Sequence, residues 1–169
     1  GVEPDAVHPD QLDGEDVALL TIISALTAAA IEHFRLFENA KLAEVAGKRA
    51  EETNARLAAI VESSNDAIIG KTLDGLVTSW NKGAERIFGY SPEEMIGKPG
   101  SVLIPADRPN EEKEIIERLQ RGEHIEHYET VRRRKDGKEI AVSLIISPIR
   151  DLEGRIIGAS KIARDITDR

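Results

Sequence analysis

Apolar residues return at helical spacing from Glu15 to Glu62, among good helix formers and with no proline before Pro92 apart from those in the first ten residues. This pattern predicts one long helix, or two in series, over residues 15–62, with Asp16 placed to cap its start. Within it Ile22, Ala29, Leu36, Ala43, Ala50 and Leu57 recur every seven residues, and Leu26, Ala40 and Val61 fall four residues after members of that set. A stripe of this spacing stays exposed unless a second helix covers it, so it predicts a coiled-coil-like seam and a homodimer. His33, Gly47 and Asn54 also fall in the second series, and alanine buries little area, so the seam is loose. A helix packed on its own domain would give a similar stripe, and both readings stay open here.

Beyond Ser63 the texture changes to short apolar runs broken by turn signals. Ala67 to Leu73 and Leu76 to Trp80 read as a hairpin about Asp74-Gly75. Asn81 stands where an N-cap belongs, ahead of Ala84, Ile87 and Phe88, and Gly89 closes that short helix. Ser91-Pro92-Glu93-Glu94 starts a second one, with acid at the positive end of the helix dipole. After a loop containing Pro99, Pro105 and Pro109, Asn110 is expected to cap a longer helix buried through Ile115, Ile116 and Leu119, with Gly122 as its stop. Three strands follow: Ile125 to Arg134, Glu139 to Ile149 and Arg155 to Ala163, joined by turns at Asp136-Gly137 and Glu153-Gly154.

Two strands, several short helices and three more strands indicate an α+β domain, with an antiparallel sheet and its helices on one face. Ile140, Val142, Leu144 and Ile146 alternate along one strand as a buried face should, yet Ala141, Ile145 and Ile149 make the opposite face partly apolar. That second face calls for a cover, from the preceding helix or from a partner chain. The chain therefore divides into a loop or fragment at residues 1–14, a helical connector at 15–62 and a sheet domain at 63–169.

Composition narrows the function. A net charge of −8 and a pI near 5.1 repel phosphate backbones and argue against nucleic-acid binding. The basic run Arg132-Arg133-Arg134-Lys135 precedes a turn and reads as a solvated strand end. No cysteine is present, which removes disulfides, thiolate nucleophiles and thiolate metal sites. The charge-free stretch Val17 to Ile31 falls short of the ~20 apolar residues of a membrane span and contains Thr21, Ser24 and Thr27. With no basic secretory start, the expected location is the cytoplasm, with no membrane contact by this segment.

Candidate chemistry is sparse. His33 has no second ligand at helical spacing, so no metal site is expected. Glu111, Glu112, Glu114 and Glu117 share a helix with Lys113 and Arg118, the pattern of a solvated face rather than of a catalytic cluster. No nucleophile elbow or Gly-rich phosphate loop appears, and the segment reads as regulatory, not as an enzyme.

Three strings, in order, resemble the PAS family over about Leu57 to Arg169. They are Ser79-Trp80-Asn81-Lys82-Gly83-Ala84-Glu85-Arg86-Ile87-Phe88-Gly89-Tyr90-Ser91 with Glu93-Glu94-Met95-Ile96-Gly97-Lys98, then Arg133-Arg134-Lys135-Asp136-Gly137, then Ala163-Arg164-Asp165-Ile166-Thr167. The resemblance implies a PAS-like five-stranded antiparallel sheet of order 2-1-5-4-3, with helices enclosing a small cavity, preceded by the long coiled-coil-like helix. It also implies sensory work: a ligand, redox or upstream signal passed to a downstream effector, of which a histidine kinase or a cyclic-dinucleotide enzyme is the common type. Asp165, Ile166 and Thr167 resemble the start of the family's output linker, which makes them the expected signal relay. Leu19-Leu20-Thr21 through Ala28-Ala29-Ala30-Ile31-Glu32-His33 is similar to the closing helix of a GAF domain.

The cavity's expected wall is Ile104, Ile116, Leu119, Val142, Leu144 and Ile146. No cofactor is assigned. The family's cysteine-dependent flavin and chromophore types need a residue this chain lacks. Haem-binding relatives carry a histidine on the long helix, and here His124 and His127 come after it, i and i+3 on a strand, where at most one would face the cavity. Non-covalent flavin would need Trp80 as a platform, whereas a tryptophan beside a capped helix is more often core. Two readings remain: a small ligand in the cavity, or a ligand-independent dimerising relay.

Overall fold

The computed structural model describes Gly1 and residues 13–169. The loop expected at residues 1–14 thus falls almost wholly outside the described residues, and Gly14 is already helical. Helix α1 runs from Gly14 to Ser63. Its cap is Asp13 rather than Asp16: the Asp16 amide donates to Asp13 Oδ1 (2.8 Å), and the Asp13 amide donates back to Asp16 Oδ2 (3.3 Å). This reciprocal pair satisfies amides that helix geometry leaves free.

None of α1 is buried. Ile22, Leu36 and Leu57 of the expected seam stand exposed, and so do Leu19, Ile23, Leu26, Phe34 and Phe37 outside or beside it. By length and composition α1 is apolar enough to cross a membrane, with an 18-residue window of mean hydropathy 1.8. The charge-free stretch Val17 to Ile31 is shorter than that window, so the expectation that it falls short of a span does not extend to the helix as a whole. Thr21 and Thr27 turn their hydroxyls back onto the carbonyls of Val17 and Ile23 (2.8 and 2.7 Å).

The chain forms two units, Gly1–Asn54 and Ala55–Arg169, so the last turns of α1 belong with the sheet. That sheet has five antiparallel strands in the order β2-β1-β5-β4-β3: β1 Ala67–Thr72, β2 Val77–Trp80, β3 Ile125–Arg133, β4 Glu139–Arg150 and β5 Ile156–Asp165. Between β2 and β3 come α2 (Lys82–Phe88), α3 (Pro92–Met95), a 3-10 turn at Gly100–Leu103 that the sequence did not signal, and α4 (Glu111–Gln120).

Local chemistry explains most boundaries. Asn81 caps α2 by accepting from the Ala84 amide (2.9 Å), and Gly89 ends it at φ 81°, a left-handed conformation costly for any residue with a Cβ. Ser91 and Glu94 close a capping box on α3, with Pro92 at its first turn. Asn110 departs from expectation: its backbone is already helical and its side chain caps nothing.

One irregularity sets the faces of β3. Its register with β4 passes from Ile125↔Ile146 to Tyr128↔Leu144, so β3 carries one extra residue there, and His127 sits at φ 51°. Because side chains alternate, one inserted residue flips every later one. Ile125 faces the core before the bulge; Thr130 and Arg132 face it afterwards. Arg132 is therefore 1% exposed, not the solvated strand end that its charge run suggested.

The core lies between the sheet and the helices, built from Ile69, Trp80, Phe88, Met95, Leu119, Val142 and Leu144 among others. Trp80 is a core residue: its ring tilts against Phe88 at 5.8 Å and Nε1 donates to the Tyr90 carbonyl (2.9 Å). On the opposite face of the sheet Ile68, Ala141, Ile145 and Ile162 are half-buried.

Candidate functional site

Two places in the sheet domain concentrate polar groups. The first is a cavity between α4 and the middle of the sheet, lined by Lys71, Thr72, Leu73, Gly75, Ile104, Glu112, Ile115, Ile116, Leu119, Ile146, Ala159 and Lys161. Its volume is about 20 Å³, room for about one water-sized molecule. Of the expected wall, the structure brings Ile104, Ile116, Leu119 and Ile146 together here. Val142 and Leu144 are fully buried in the packed core instead and do not line the cavity.

Two lysines line the cavity that the sequence reading did not single out. Ile69 pairs with Lys161 and Lys71 with Ala159 in the β1–β5 register, so the two lysines are diagonal neighbours on one sheet face. Each is 7% exposed. Lys71 Nζ bonds Glu112 Oε1 at 3.1 Å. Lys161 has no such partner among the described residues, and burial, then the charges of Lys71 and Arg132, push its ammonium well below the ordinary lysine range.

Beside the cavity, Arg132 Nη1 donates to both carboxylate oxygens of Glu111 (3.2 and 3.0 Å), and Glu111 is 6% exposed. Burial alone would raise this carboxyl, but hydrogen bonding and charge from Arg132 outweigh it and hold Glu111 below the usual carboxylate range. Arg108 reaches the adjoining Thr130 hydroxyl at 3.1 Å. The second terminal guanidinium nitrogen, Arg132 Nη2, is buried without a partner. The acidic face expected on this helix is thus partly inward: Glu111 and Glu112 pair across to the sheet, while Glu114 and Glu117 remain exposed.

None of the cavity-lining residues is a histidine. His124 is exposed, bonded to Ser147 Oγ (2.6 Å) and Glu126 Oε1 (3.0 Å), and His127 is exposed at the bulge. Among the described residues, no three His, Cys, Asp or Glu side chains gather as a metal ion would need.

The second place is the junction where the chain enters and leaves the sheet. Asn81, 1% exposed, accepts from the Ile68 and Ala84 amides (both 2.9 Å) and donates to the carbonyls of Val61 (2.8 Å) and Asp66 (3.1 Å). Its cap thereby ties the end of α1 to β1 and α2. The Lys82 amide reaches Glu62 Oε2 (3.2 Å), and Arg86 reaches the Ser64 carbonyl (3.0 Å). Position 83 is buried there and must be glycine, because a Cβ would run into the Asp66 carbonyl.

From the other end, Arg164 of β5 grips Asp66 with two bonds (3.1 and 2.8 Å), hydrogen bonding and then charge raising its guanidinium above the ordinary range. The next residue, Asp165, ends β5; its Oδ1 accepts from the Thr167 amide (2.9 Å) and hydroxyl (2.5 Å), and the Ile166 amide donates to the Ala141 carbonyl (2.9 Å). The three expected relay residues are thus one residue from a clamp onto the segment between α1 and β1.

Fold and motifs together define a PAS domain, and a family model of the PAS fold matches residues 55–166; the chain belongs to that family. Leu19–His33, the stretch similar to a GAF helix, lies outside the match. The chain is 38% identical over 97 residues to two-component system protein A of Emericella nidulans, covering 56% of this chain and 14% of that protein. To the signal transduction histidine-protein kinase AtoS of Escherichia coli it is 32% identical over 110 residues, 65% of this chain and 18% of the kinase. With the biofilm dispersion protein BdlA of Pseudomonas aeruginosa it shares 32% over 95 residues, 55% and 22% of the two chains. It therefore spans under a quarter of the length of each of these curated relatives.

Among solved structures, the PAS domain of a protein from Colwellia psychrerythraea is similar at TM-score 0.64 and 31% identity, covering 69% of this chain and 99% of that one. The PAS domain of an HTR-like protein from Haloarcula marismortui matches at TM-score 0.61 and 26% identity, over 73% and 99%.

Proposed function

We propose that this PAS domain is the relay element of a cytoplasmic signalling protein: it pairs with a second copy through α1 and passes a ligand, redox or upstream signal to a downstream effector, a histidine kinase being the foremost class. The junction carries this reading. The end of α1 and the end of β5 are bonded to one small set of groups, Asn81, Asp66 and Arg164, so a displacement of the sheet is felt at both chain ends together. A histidine kinase and a two-component protein among the relatives support the effector class.

Pairing rests on α1, whose large apolar residues from Val17 to Ile60 stand in solvent in a single chain. Glu32, Arg35, Glu38 and Lys41 interrupt its apolar surface beyond Ile31, which suits a water-facing coil better than a full membrane span. A GAF domain upstream remains part of the proposal on the strength of Leu19–His33, and the chain itself is regulatory, not catalytic.

Light scattering tests the pairing: the unmodified chain is expected to be dimeric, and Leu36→Glu with Leu57→Glu to shift it toward monomer. A monomer at high concentration in the unmodified chain overturns the seam. In the full-length receptor, Asp165→Ala is expected to uncouple signal from output while leaving folding intact; unaltered regulation removes Asp165 from the path.

The small volume of the cavity favours a second reading, in which the domain relays an upstream signal and binds nothing. Native mass spectrometry of protein purified without denaturation separates the two: a stoichiometric ligand supports sensing, and its repeated absence, also after attempted loading, supports the passive relay.

A further inference from the structure

The two edges of the sheet differ. Along β2 the edge is already occupied: the Val77 amide donates to the Lys98 carbonyl (2.9 Å), the Gly97 amide to the Val77 carbonyl (2.8 Å) and the Gly100 amide to the Gly75 carbonyl (2.9 Å). Along β3 one bond fixes the direction of every peptide. The Arg134 amide donates to the Lys138 carbonyl (2.9 Å), so by alternation Tyr128, Thr130 and Arg132 turn their peptides toward β4, and Glu129, Val131 and Arg133 turn theirs away from the sheet. None of those three outward amides has a backbone acceptor among the described residues. An edge of this kind is a template for another strand.

Its side chains decide which strand. Beyond the bulge Glu129, Val131 and Arg133 share the face of β3 opposite Thr130 and Arg132; Glu129 and Arg133 are exposed and Val131 is half-buried. Neighbouring charges are engaged within the chain, Glu126 with His124 (3.0 Å) and Arg132 with Glu111 (3.0 Å). Glu129 and Arg133 have no charged partner among the described residues, and they stand symmetrically about Val131 with opposite signs. An edge guarded by one sign of charge repels its own copy, whereas this one is complementary to itself when the second copy runs antiparallel.

We infer that β3 is a self-pairing edge: it joins antiparallel to β3 of a second copy about a two-fold axis at Val131. In that register Val131 opposes Val131, Glu129 opposes Arg133 and Arg133 opposes Glu129, so outward peptides meet outward peptides and each charge meets its opposite. An axis at Glu129 or at Arg133 instead sets like charges against each other. The Val131 carbonyl already accepts from Arg132 Nη1 (2.9 Å) and keeps a second lone pair for the partner's amide. The bulge ends the strip on one side and the turn before β4 on the other, which leaves it smaller than the roughly 1,200 Å² of a stable complex. Pairing is therefore weak between isolated chains and gains where another contact already holds copies together. It goes beyond the pairing proposed for α1, as a second and separate self-contact.

The test uses the absence of native cysteine. Opposed Cα atoms of a hydrogen-bonded antiparallel pair lie about 5.5 Å apart, within reach of a disulfide, so Val131→Cys in the whole chain is expected to form an interchain bridge under mild oxidation. Thr78→Cys, exposed on the occupied β2 edge, is the control for random collision. Val131→Cys is expected to cross-link at least about tenfold faster than the control, as local concentration at a real contact requires. Adding Glu129→Arg should slow it to the control rate, and adding Arg133→Glu to that variant should restore it, with far-UV circular dichroism unchanged throughout. Equal rates at positions 131 and 78, no effect of Glu129→Arg, or no recovery in the double charge exchange overturns the proposal. Leu36→Glu with Leu57→Glu in the same chain keeps the two contacts apart. Light scattering reads the seam, while the cross-link and its charge dependence are expected to persist at raised concentration; a cross-link that vanishes with the seam overturns an independent edge contact.

Discussion

A lysine buried beside other cations leaves a signature in stability. The Lys161 ammonium is held well below its ordinary range in the folded chain, while in the unfolded chain it titrates near about 10.4. Between those two values the unfolded state binds the extra proton, so stability rises with pH through that window and levels off above about 10.4. Below the folded value both states are protonated and the full penalty stands. Lys161→Met removes the titrating group, so the difference in unfolding free energy between variant and wild type should favour the variant most below the folded value, and shrink as pH rises toward about 10.4. A difference constant with pH, in chemical denaturation, would mean that Lys161 is solvated. Arg132 gives the opposite case, because its partner is buried with it. Arg132→Met leaves the Glu111 carboxylate unpaired, at a cost of about 3 kcal/mol at neutral pH. As Glu111 is held below the usual carboxylate range, the pair's contribution is present above about pH 4.3 and disappears as pH falls through the folded value. Wild type should therefore lose stability in acid more steeply than Arg132→Met; parallel acid limbs would dissociate Glu111 from this pair.

At the scale of elements, what the sequence made legible was what short-range chemistry decides. The hairpin about Asp74-Gly75, the Asn81 cap, the Gly89 stop and the Ser91 capping box each depend on residues a few positions apart, and the structure has all four. The five strands and their order followed from turn spacing and from the family strings. The cavity's cations were not legible. Lys71 meets Glu112 across 41 residues and Arg132 meets Glu111 across 21, so nothing local marks them as paired. The bulge in β3 hid Arg132 further, since simple alternation from Ile125 sends it outward. Asn81 was read as a cap and is more than that: its side chain serves four backbone groups from the end of α1, the start of β1 and α2. Asn81→Ala should cost roughly 3 kcal/mol, above the usual loss for a cap, because buried amides and carbonyls lose their partner as well. A loss within the ordinary cap range of about 1 kcal/mol, measured by urea unfolding, would reduce Asn81 to a local cap.

For the whole molecule, the question is whether the two chain ends are joined by the sheet alone or also by side chains at the junction. The Asp66–Arg164 pair is a sharp probe because Arg164 is well exposed and the pair contributes little to global stability, yet it bridges the segment after α1 and the last residues of β5. Breaking it should therefore change local opening more than global unfolding. In Arg164→Asp, two carboxylates face each other, and amide hydrogen exchange over residues 55–66 should accelerate with little change in Tm. Adding Asp66→Arg restores opposite charges with the ends exchanged, and protection should return toward wild type. High salt should blunt the single variant's effect, since the repulsion acts through solvent. Exchange that is the same in wild type, single and double variants would show that the end of α1 is held by Asn81 and the backbone alone, and would move the coupling between the chain ends from the charged clamp to the hydrogen-bonded cap.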